Sequence, residues 1–320
     1  MKLHKILFGS FITLLSQICI GQSFTFIALG DMPYSIPADY ERYEKLINAI
    51  NKAKPSFSIF VGDTKSGASP CSDEYNLVVK SYFDKFQMPL IYSIGDNEWT
   101  DCHRVLAGAY DPLERLQAVR SLYFSNNESQ GQRPIRLNRQ SDVMPKFSTY
   151  VENAYWIKNN FLFVNLHIPG SNNNLDRNEE SKQEYLQRNQ ANLAWIDHAF
   201  QLLEYQKLSG IVLAYQADMF YSPKQANDLS SGYRDTLISI TKHSEKSGKP
   251  VLLIHGDTHR LKIDQPLLTI DQKYVLENVM RLQVMGADQV QAVEIKVDPK
   301  SEQPFSFKPL ILRSNRPYIK

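Results

Sequence analysis

The sequence predicts an α/β fold whose core sheet is largely parallel. Short apolar runs bounded by glycine alternate with stretches in which apolar residues recur at helical spacing. Helices between successive strands favour parallel pairing, which places the carboxyl ends of the strands at one edge of the sheet. A Gly-Asp pair follows directly on four of these apolar runs, at Asp31, Asp63, Asp96 and Asp257.

The first hundred residues are predicted to form a βαβαβ unit. The predicted elements are a strand at 24–29, a helix at 39–53, a strand at 57–61, a helix at 73–86 and a strand at 90–94. Pro55 ends the first of these helices. Because strands joined through helices pair in parallel, we expect the first three Gly-Asp pairs at one sheet edge.

The rest of the chain continues the alternation and then changes character. Residues 108–145 combine a short helix with a polar loop. The elements predicted next are aromatic-rich strands at 147–156 and 161–166, a helix at 184–206, a strand at 211–215, a helix at 228–246 and a strand at 251–254. Alternating apolar residues at 281–285 and 292–297 predict two antiparallel strands that close a second sheet.

Composition indicates a globular protein that acts on a small molecule. With 320 residues, of which 42% are apolar, the chain can bury a sizeable core, and no linker or repeat divides it. We predict a single domain over residues 22–320. The 36 basic and 34 acidic residues are spread through the chain, so no nucleic-acid patch or membrane-surface patch is evident.

The first 21 residues have the pattern of a secretory signal peptide. Lys2 and Lys5 precede an apolar stretch at 6–20, and small residues before Gln22 place the cleavage after Gly21. A membrane anchor is the alternative, which the Ser, Thr and Gln residues within the stretch disfavour. We therefore expect an exported protein, periplasmic or extracellular, with no later segment that spans a bilayer.

Four carboxylates at strand ends predict a metal site. Like charges that converge at one sheet edge repel each other unless a cation or a proton lies among them. The alternative is that each Asp caps the helix that follows its strand. Asp31 and Asp63 lie several residues before their predicted helices, too far to cap them, which favours a cation site.

The order of these motifs resembles the calcineurin-like metallophosphoesterases. The segments that carry the resemblance are Asp31, Gly62-Asp63, Gly95-Asp96-Asn97-Glu98 and Gly256-Asp257-Thr258-His259. The match covers residues 24–260, which is most of the chain. The resemblance implies a four-layer α/β/β/α sandwich, in which two facing mixed sheets are flanked by helices.

The resemblance also implies a set of metal ligands. Asp63 would bridge two ions, Asp31 and His259 would complete one ion's shell, and Asp96 and Asp257 the other's. The expected cofactor is one or two divalent ions among Mn, Mg, Ca, Fe and Zn. Asp96 and Asp257 replace neutral Asn and His ligands of the family, and the added charge and hard oxygen favour Mg, Mn or Ca.

Other positions depart from the family pattern. Pro33 stands in place of a His, Asn97 holds the catalytic position of the His acid, and Gln216 aligns with a lone His. Asn97 cannot protonate a leaving oxygen, so His103 and His255 are candidates for the acid. For His255 the alternative is a buried histidine with satisfied hydrogen bonds.

Basic residues behind two strand ends are candidates for binding a phosphate oxygen. Arg104 and Lys65 each follow a strand-end motif, and a positive charge there would offset both substrate and carboxylates. Solvated loop charges are the alternative for both. His167 also ends an apolar run, and a surface turn residue is the alternative there.

Export permits a disulfide between Cys71 and Cys102. The two cysteines follow Gly-Asp pairs, eight residues after Asp63 and six after Asp96. The bond would close a loop of about 30 residues and contribute about 3 kcal/mol to stability. Two unpaired buried thiols are the alternative.

Two functions agree with these observations. The leading interpretation is an exported metal-dependent hydrolase of a small phosphomonoester or phosphodiester, acting, as the resemblance implies, through a metal-bound hydroxide. The rival is a non-catalytic secreted protein that binds a metal or a phosphorylated ligand on a degenerate phosphoesterase scaffold. Retention of a carboxylate at every motif favours the enzyme, whereas loss of the His acid favours the binding protein.

Overall fold

Strands and helices alternate along most of the chain, for which the computed structural model describes residues 21–221 and 230–316. The strands are β1 (Phe24–Leu29), β2 (Ser58–Phe60), β3 (Leu90–Tyr92), β4 (Asn138–Arg139), β5 (Ala154–Lys158), β6 (Phe161–Asn165), β7 (Gly210–Ala214), β8 (Val251–His255), β9 (Lys262–Asp264), β10 (Val279–Gln283), β11 (Ala292–Val297) and β12 (Phe305–Leu310). The helices are α1 (Ala38–Ala53), α2 (Asp73–Phe83), α3 (Pro112–Tyr123), α4 (Gln140–Val143), α6 (Glu179–Tyr205) and α7 (Arg234–Ser247), and the segment labelled α5 (Gly170–Asn173) is a single turn with left-handed backbone angles.

The first sheet contains the predicted βαβαβ unit. Its strand order is β12-β11-β1-β2-β3, and β1, β2 and β3 pair in parallel, with Ile27 opposite Ser58 and Ile59 opposite Ile91. β11 pairs antiparallel with β1, and β12 pairs antiparallel with β11. Parallel pairing brings the carboxyl ends of β1, β2 and β3 to one edge, where the first three Gly-Asp pairs lie.

The second sheet has the strand order β4-β5-β6-β7-β8-β10-β9. Strands β6, β7, β8 and β10 run parallel, while β5 and β9 pair antiparallel with β6 and β10. The prediction that the two tail strands close one second sheet as an antiparallel pair is wrong, because β10 joins the second sheet and β11 the first. Alternating apolar residues reveal that a strand has a buried face but not which sheet it joins.

Three layers of apolar side chains hold the sheets and helices together. Between the two sheets, Phe26 of β1 meets Phe163 of β6 edge to face, with ring centroids 5.4 Å apart. Leu46 of α1 and Val79 of α2 cover the outer face of the first sheet. Trp195 of α6 does the same for the second sheet. The predicted four-layer α/β/β/α sandwich is therefore confirmed.

The long helix α6 begins earlier than predicted, at Glu179 rather than at 184. Asn178 and Ser181 explain the difference, because they form a capping box. Oδ1 of Asn178 accepts from the backbone N–H of Ser181 at 2.8 Å, and Oγ of Ser181 accepts from the backbone N–H of Asn178 at 2.9 Å. The prediction started at the first regular apolar spacing and overlooked this polar start signal.

Two other boundaries also differ from the predictions. Helix α7 begins at Arg234, whereas the predicted helix began at 228, and residues 228–229 lie outside the described residues. The strand predicted from 147 begins at Ala154, because a 3-10 turn at Pro145–Phe147 and a further turn at 148–149 precede it. Proline opens such turns readily because its ring fixes φ near the value they need.

A disulfide joins Cys71 and Cys102, as predicted. The two Cα atoms are 5.8 Å apart and both side chains are buried. The two sulfur atoms lie 3.6 and 3.7 Å from the backbone oxygen of Asn97. The bond therefore braces the loop that carries Asp96 and Asn97.

Replacement of both cysteines by serine is expected to lower the free energy of unfolding by about 3 kcal/mol, because the unfolded chain loses its cross-link. Denaturant unfolding of the oxidised wild type and of the Cys71→Ser, Cys102→Ser double variant measures the difference. The wild type in reductant serves as the control and should match the variant. Equal stability of all three samples would contradict a stabilising bond.

The predicted signal peptide at 1–21 lies outside the described residues except for Gly21. Among the helices of the described ranges, none is long and apolar enough to cross a membrane. The signal peptide and the single domain at 22–320 stay predictions.

Candidate metal centre

Asp31 and Asp63 follow neighbouring parallel strands and lie next to each other. The backbone N–H of Asp31 donates to the carbonyl of Gly62 at 2.9 Å. Both aspartates have left-handed backbone angles, with φ of 53° and 57°. Such angles are uncommon outside glycine and cluster at functional sites. Both carboxylates are buried, with exposed fractions of 0% and 2%.

The Asp31 carboxylate has one oxygen that makes no hydrogen bond. Oδ1 accepts from the backbone N–H of Asp257 at 2.9 Å, while Oδ2 is shielded from solvent and has no partner. A Cβ at Gly256 would lie 2.1 Å from Oδ2, so only glycine leaves room for this carboxylate. A buried carboxylate oxygen without a donor is costly unless a cation binds it.

The Asp63 carboxylate is held by two side chains. Oδ2 accepts from the Tyr34 hydroxyl at 2.9 Å and from Nδ2 of Asn97 at 2.8 Å, and Oδ1 accepts from the backbone N–H of Asn97 at 3.2 Å. Nδ2 of Asn97 also lies 3.0 Å from the carbonyl of Lys65. Asn97 therefore orients Asp63 rather than presenting a proton to a substrate.

His259 completes a group of three ligand-type side chains. Ligand atoms of Asp31, Asp63 and His259 all lie within 4.8 Å of one another, and no other such group of His, Cys, Asp or Glu occurs within 21–221 and 230–316. Nε2 of His259 is 3.6 Å from Oδ1 of Asp31. The His259 ring packs edge to face on Tyr34 at 5.2 Å. Two carboxylates and one imidazole at this spacing are a suitable donor set for a divalent cation.

Asp96 and Asp257 border this group. Oδ2 of Asp96 accepts from Oγ of Ser171 at 2.8 Å, while Oδ1 is buried without a partner. Oδ2 of Asp257 accepts from the backbone N–H of Asp218 at 2.9 Å. The structure thus brings all five proposed ligands to one region but places only three of them in a tight cluster.

Burial and mutual repulsion govern the charge of these carboxyls. Burial raises the pKa of Asp31 and that of Asp63 well above their usual range, and neighbouring carboxylates raise both further. Burial and the charge of Asp96 raise the pKa of Asp257 to about 7. Burial lowers the pKa of His259. A divalent cation would favour the ionised carboxylates and the neutral imidazole.

The fold of this chain matches several solved protein structures. No protein-family model matches the sequence, and no curated protein matches it. A structure of PhoD matches with a TM-score of 0.52 at 13% identity, over 87% of this chain and 64% of that chain. A dimetal phosphatase from Danio rerio matches with a TM-score of 0.52 at 11% identity, over 90% and 99% of the two chains. GAP50, described as the anchor in the inner membrane complex of Plasmodium, matches at 0.50 and 10% identity, over 91% and 90%.

The chain has the calcineurin-like metallophosphoesterase fold. It is a divergent example, since its identity to the dimetal phosphatase is 11%. The chain spans less than two thirds of the length of PhoD. Because one fold carries many activities, the function is argued from the residues at the strand ends.

Two acidic residues of the metallophosphoesterase fold had no assigned role in the sequence predictions. Glu98 is buried, accepts from the backbone N–H of Thr64 at 2.7 Å and from the Tyr92 hydroxyl at 3.0 Å, and leaves Oε2 without a partner. Asp218 orients Asp257 through its backbone and accepts from the Thr258 hydroxyl at 2.9 Å. The sequence signal that could have indicated a role for Glu98 is its position directly after Asn97 in the strand-end motif.

The two basic candidates have different surroundings. Lys65 is buried, and its Nζ donates to the carbonyls of Ser66 and Ser69 at 3.2 and 2.9 Å. Its ammonium is therefore engaged within its own loop. Arg104 has a side chain that is 49% exposed and pairs with Asp101 at 2.8 Å.

The three histidine candidates lie in different surroundings. His255 is buried, donates from Nδ1 to the carbonyl of Gly256 at 3.0 Å and stacks on Tyr215. His167 is buried rather than on the surface, with Nδ1 at 2.7 Å from Oε1 of Glu152. Burial lowers the pKa of each to about 4. His103 is exposed and donates from Nδ1 to a backbone carbonyl at 2.7 Å, which leaves Nε2 available.

An unusual turn holds Ser171 against Asp96. Residues 171–174 all have left-handed backbone angles, with φ between 49° and 63°. Each such non-glycine residue costs roughly 1 kcal/mol, so the surroundings must enforce the turn. Arg188 does so from α6, because its guanidinium donates to the backbone oxygen of Asn173 at 3.0 Å and to the carbonyl of His167 at 3.2 Å.

Gly256→Ala is expected to abolish metal binding while the protein still folds, because the new Cβ displaces Oδ2 of Asp31. Elemental analysis after dialysis against a divalent metal measures the bound ion. Gly248→Ala is the matched control, since a Cβ there meets nothing within 4 Å. That variant should lose about 1 kcal/mol of stability, because φ is positive at this position, but retain the metal. Full metal content in Gly256→Ala would place the ion elsewhere.

Proposed function

We propose that the chain is an exported, metal-dependent phosphoesterase. The observation that carries the proposal is the pair of buried carboxylate oxygens without donors, Oδ2 of Asp31 and Oδ1 of Asp96, at the same edge of the first sheet on either side of β2. A protein core does not keep such atoms without a compensating cation or proton. The phosphoesterase scaffold supports a cation with a role in ester hydrolysis.

The residues at the strand ends fit a divalent cation. We assign Asp31, Asp63 and His259 to the first ion, and Asp96 with Asp257 to a second ion where one binds. The surplus of carboxylate oxygen over nitrogen favours Mg, Mn or Ca. A bound divalent ion would supply activation of water and neutralisation of charge on the phosphoryl group.

A large cavity next to Asp257 is suited to the substrate. Its volume is about 900 Å³, and its lining includes Asp257, Ser171, Tyr233 and Arg260. Arg260 is exposed and has no ion pair within the described residues, so it can bind an anionic oxygen. Tyr233 offers an aromatic face for the alcohol part of an ester. This volume accommodates a drug-sized molecule.

The proton donor is a departure from the family pattern. The side-chain NH2 group of Asn97 lies within hydrogen-bond distance of three acceptors inside the site, and an amide does not act as an acid. His255 is enclosed in the core beside Tyr215. We propose His103 as the acid, because it is the exposed histidine of the same loop and its Nε2 is available. Arg104 beside it would hold a phosphate oxygen.

A non-catalytic binding protein is the second candidate. The engagement of Asn97 by Asp63, Tyr34 and Lys65 favours it, since no proton donor occupies that position. The match to GAP50, described as an anchor, adds weight to such a role. On this candidate the same residues would bind a cation without turnover.

Metal reconstitution followed by an ester panel separates the two candidates. Chelator-treated protein is loaded with Mn, Mg, Ca or Zn, its metal content is measured, and phosphomonoesters and phosphodiesters are offered. Hydrolysis that requires the metal supports the phosphoesterase. Stoichiometric metal binding without hydrolysis of any ester supports the binding protein. Absence of metal binding under all conditions would overturn both.

A further inference from the structure

A second, smaller cavity borders the carboxylates through Ser171. Its volume is about 270 Å³, and Ser171, Arg104, His103 and Arg177 contribute to its lining. Ser171 also lines the large cavity, and its Oγ lies 2.8 Å from Oδ2 of Asp96. Ser171, which contacts Asp96, therefore lines both the large cavity and the small cavity.

Arg177 is the unexplained group in this cavity. Its Nε and Nη2 atoms are shielded from solvent and make no hydrogen bond. No ion pair to Arg177 occurs within the part of the chain that the structure describes. The side chain as a whole is half-buried, but its two shielded N–H groups have lost their hydration without gaining an acceptor, which an anionic ligand in the cavity would supply.

The acidic residues that face the cavity are already engaged. Asp101 pairs with Arg104 at 2.8 Å, and its Oδ1 lies 3.0 Å from Oγ of Ser171, whose single proton it shares with Asp96 as alternative acceptors. Asp176 accepts from the side-chain amide of Asn172. Neither carboxylate lies within ion-pair distance of Arg177, whose charge is left for a ligand.

We propose that this cavity binds a second anionic group of the substrate, a phosphate or a carboxylate. The inference rests on the proposed function, in which the scissile phosphoryl group lies at the carboxylate cluster. Arg177 would bind the second anion after a rotation of its side chain that turns the Nε and Nη2 edge into the cavity, and this edge matches two oxygens of one oxyanion. The substrate class is thus a phosphate ester that carries a further acidic group, rather than a simple monoester.

Paired substrates that differ by one phosphate test the specificity. Glucose 1,6-bisphosphate and glucose 6-phosphate are compared on the metal-loaded wild type, for which we expect kcat/KM to be roughly tenfold or more higher with the bisphosphate. Arg177→Ala should remove this preference through KM and leave the monophosphate rate unchanged. Arg177→Lys should restore part of it. Arg133→Ala removes an exposed arginine outside the cavity and should behave as the wild type.

Binding without turnover separates this inference from the proposed function. Calorimetry of metal-free wild type and of metal-free Arg177→Ala with pyrophosphate measures what Arg177 contributes, because Arg260 of the large cavity is the same in both proteins. Suppose that the wild type binds pyrophosphate, that Arg177→Ala weakens this binding at least tenfold, and that no ester is hydrolysed. The proposed anion site would then stand and the proposed phosphoesterase activity would be overturned. If the wild type and Arg177→Ala hydrolyse esters with the same preference between bisphosphate and monophosphate and bind pyrophosphate equally, the proposed anion site would be overturned. The proposed phosphoesterase activity would then stand.

Discussion

Asp63→Asn is expected to reduce bound metal and hydrolysis by orders of magnitude while the protein remains folded. Asn keeps the shape of Asp but loses one negative charge. Tyr34 and Asn97 both donate to Oδ2 of Asp63, so the variant must turn its amide oxygen toward them and its NH2 group toward the ion. An NH2 group carries only donors and cannot bind a cation. Elemental analysis and rates with phosphomonoesters and phosphodiesters measure both effects.

Two variants calibrate this result. Asp235→Asn removes an exposed carboxylate on α7 and should leave metal content and rates at the wild-type level. Asn97→Ala removes donors to Asp63 but no ligand, so its cost should be far smaller than that of Asp63→Asn. Wild-type rates in Asp63→Asn, after chelator treatment and reloading, would exclude a mechanism that depends on this carboxylate.

The metal-free protein is expected to lose stability as the pH rises. The folded-state pKa values of Asp31, Asp63 and Asp257 are raised, which means that the folded protein holds protons that the unfolded chain releases. Their stabilisation is complete below the unfolded pKa of about 4 and is lost progressively as the pH rises to the folded value, about 7 for Asp257. Thermal melts in chelator between pH 4 and 8 measure this loss.

A divalent ion should reverse this dependence. It replaces the protons, so the stabilisation by Mn or Mg should grow across the same interval as the carboxyls ionise. Asp257→Asn should flatten the profile of the metal-free protein, because it removes one carboxyl from the cluster. A metal-free protein whose stability increases from pH 4 to 7 would contradict the raised pKa values.

The strand-end aspartates show how far sequence reasoning reaches. Asp31 and Asp63 were predicted from the apolar runs before them, and the parallel order of β1, β2 and β3 followed from the helices between them. Both inferences depend on the local sequence pattern, which largely determines where strands and helices form and how consecutive strands pair. The disulfide was predictable for a similar reason, because Cys71 and Cys102 follow strands that are neighbours in the sheet.

Other features depend on contacts that no local pattern encodes. Asn97 donates to a carboxylate that lies 34 positions earlier in the chain, and Ser171 reaches Asp96 from 75 positions away. Lys65 is engaged by carbonyls of its own loop, although a charged residue after a strand normally faces solvent. The backbone angles of residues 171–174 are set by the buried Arg188, so the run of asparagines alone does not predict them.

The contacts of Gly95 and Gly256 bear on how relatives of this chain diverge. A Cβ at either position would lie 2.1 Å from a carboxylate oxygen, of Asp63 and Asp31 respectively. At Asp96 and Asp257, which stand where the family has Asn and His, exchange among Asp, Asn and His would alter the metal preference and preserve the shape of the centre. One added methyl group at 95 or 256 removes the space for the ion's ligands. We therefore expect glycine to persist at positions 95 and 256 in homologues even where the ligand residues differ, which makes these two glycines the better marker for finding homologues.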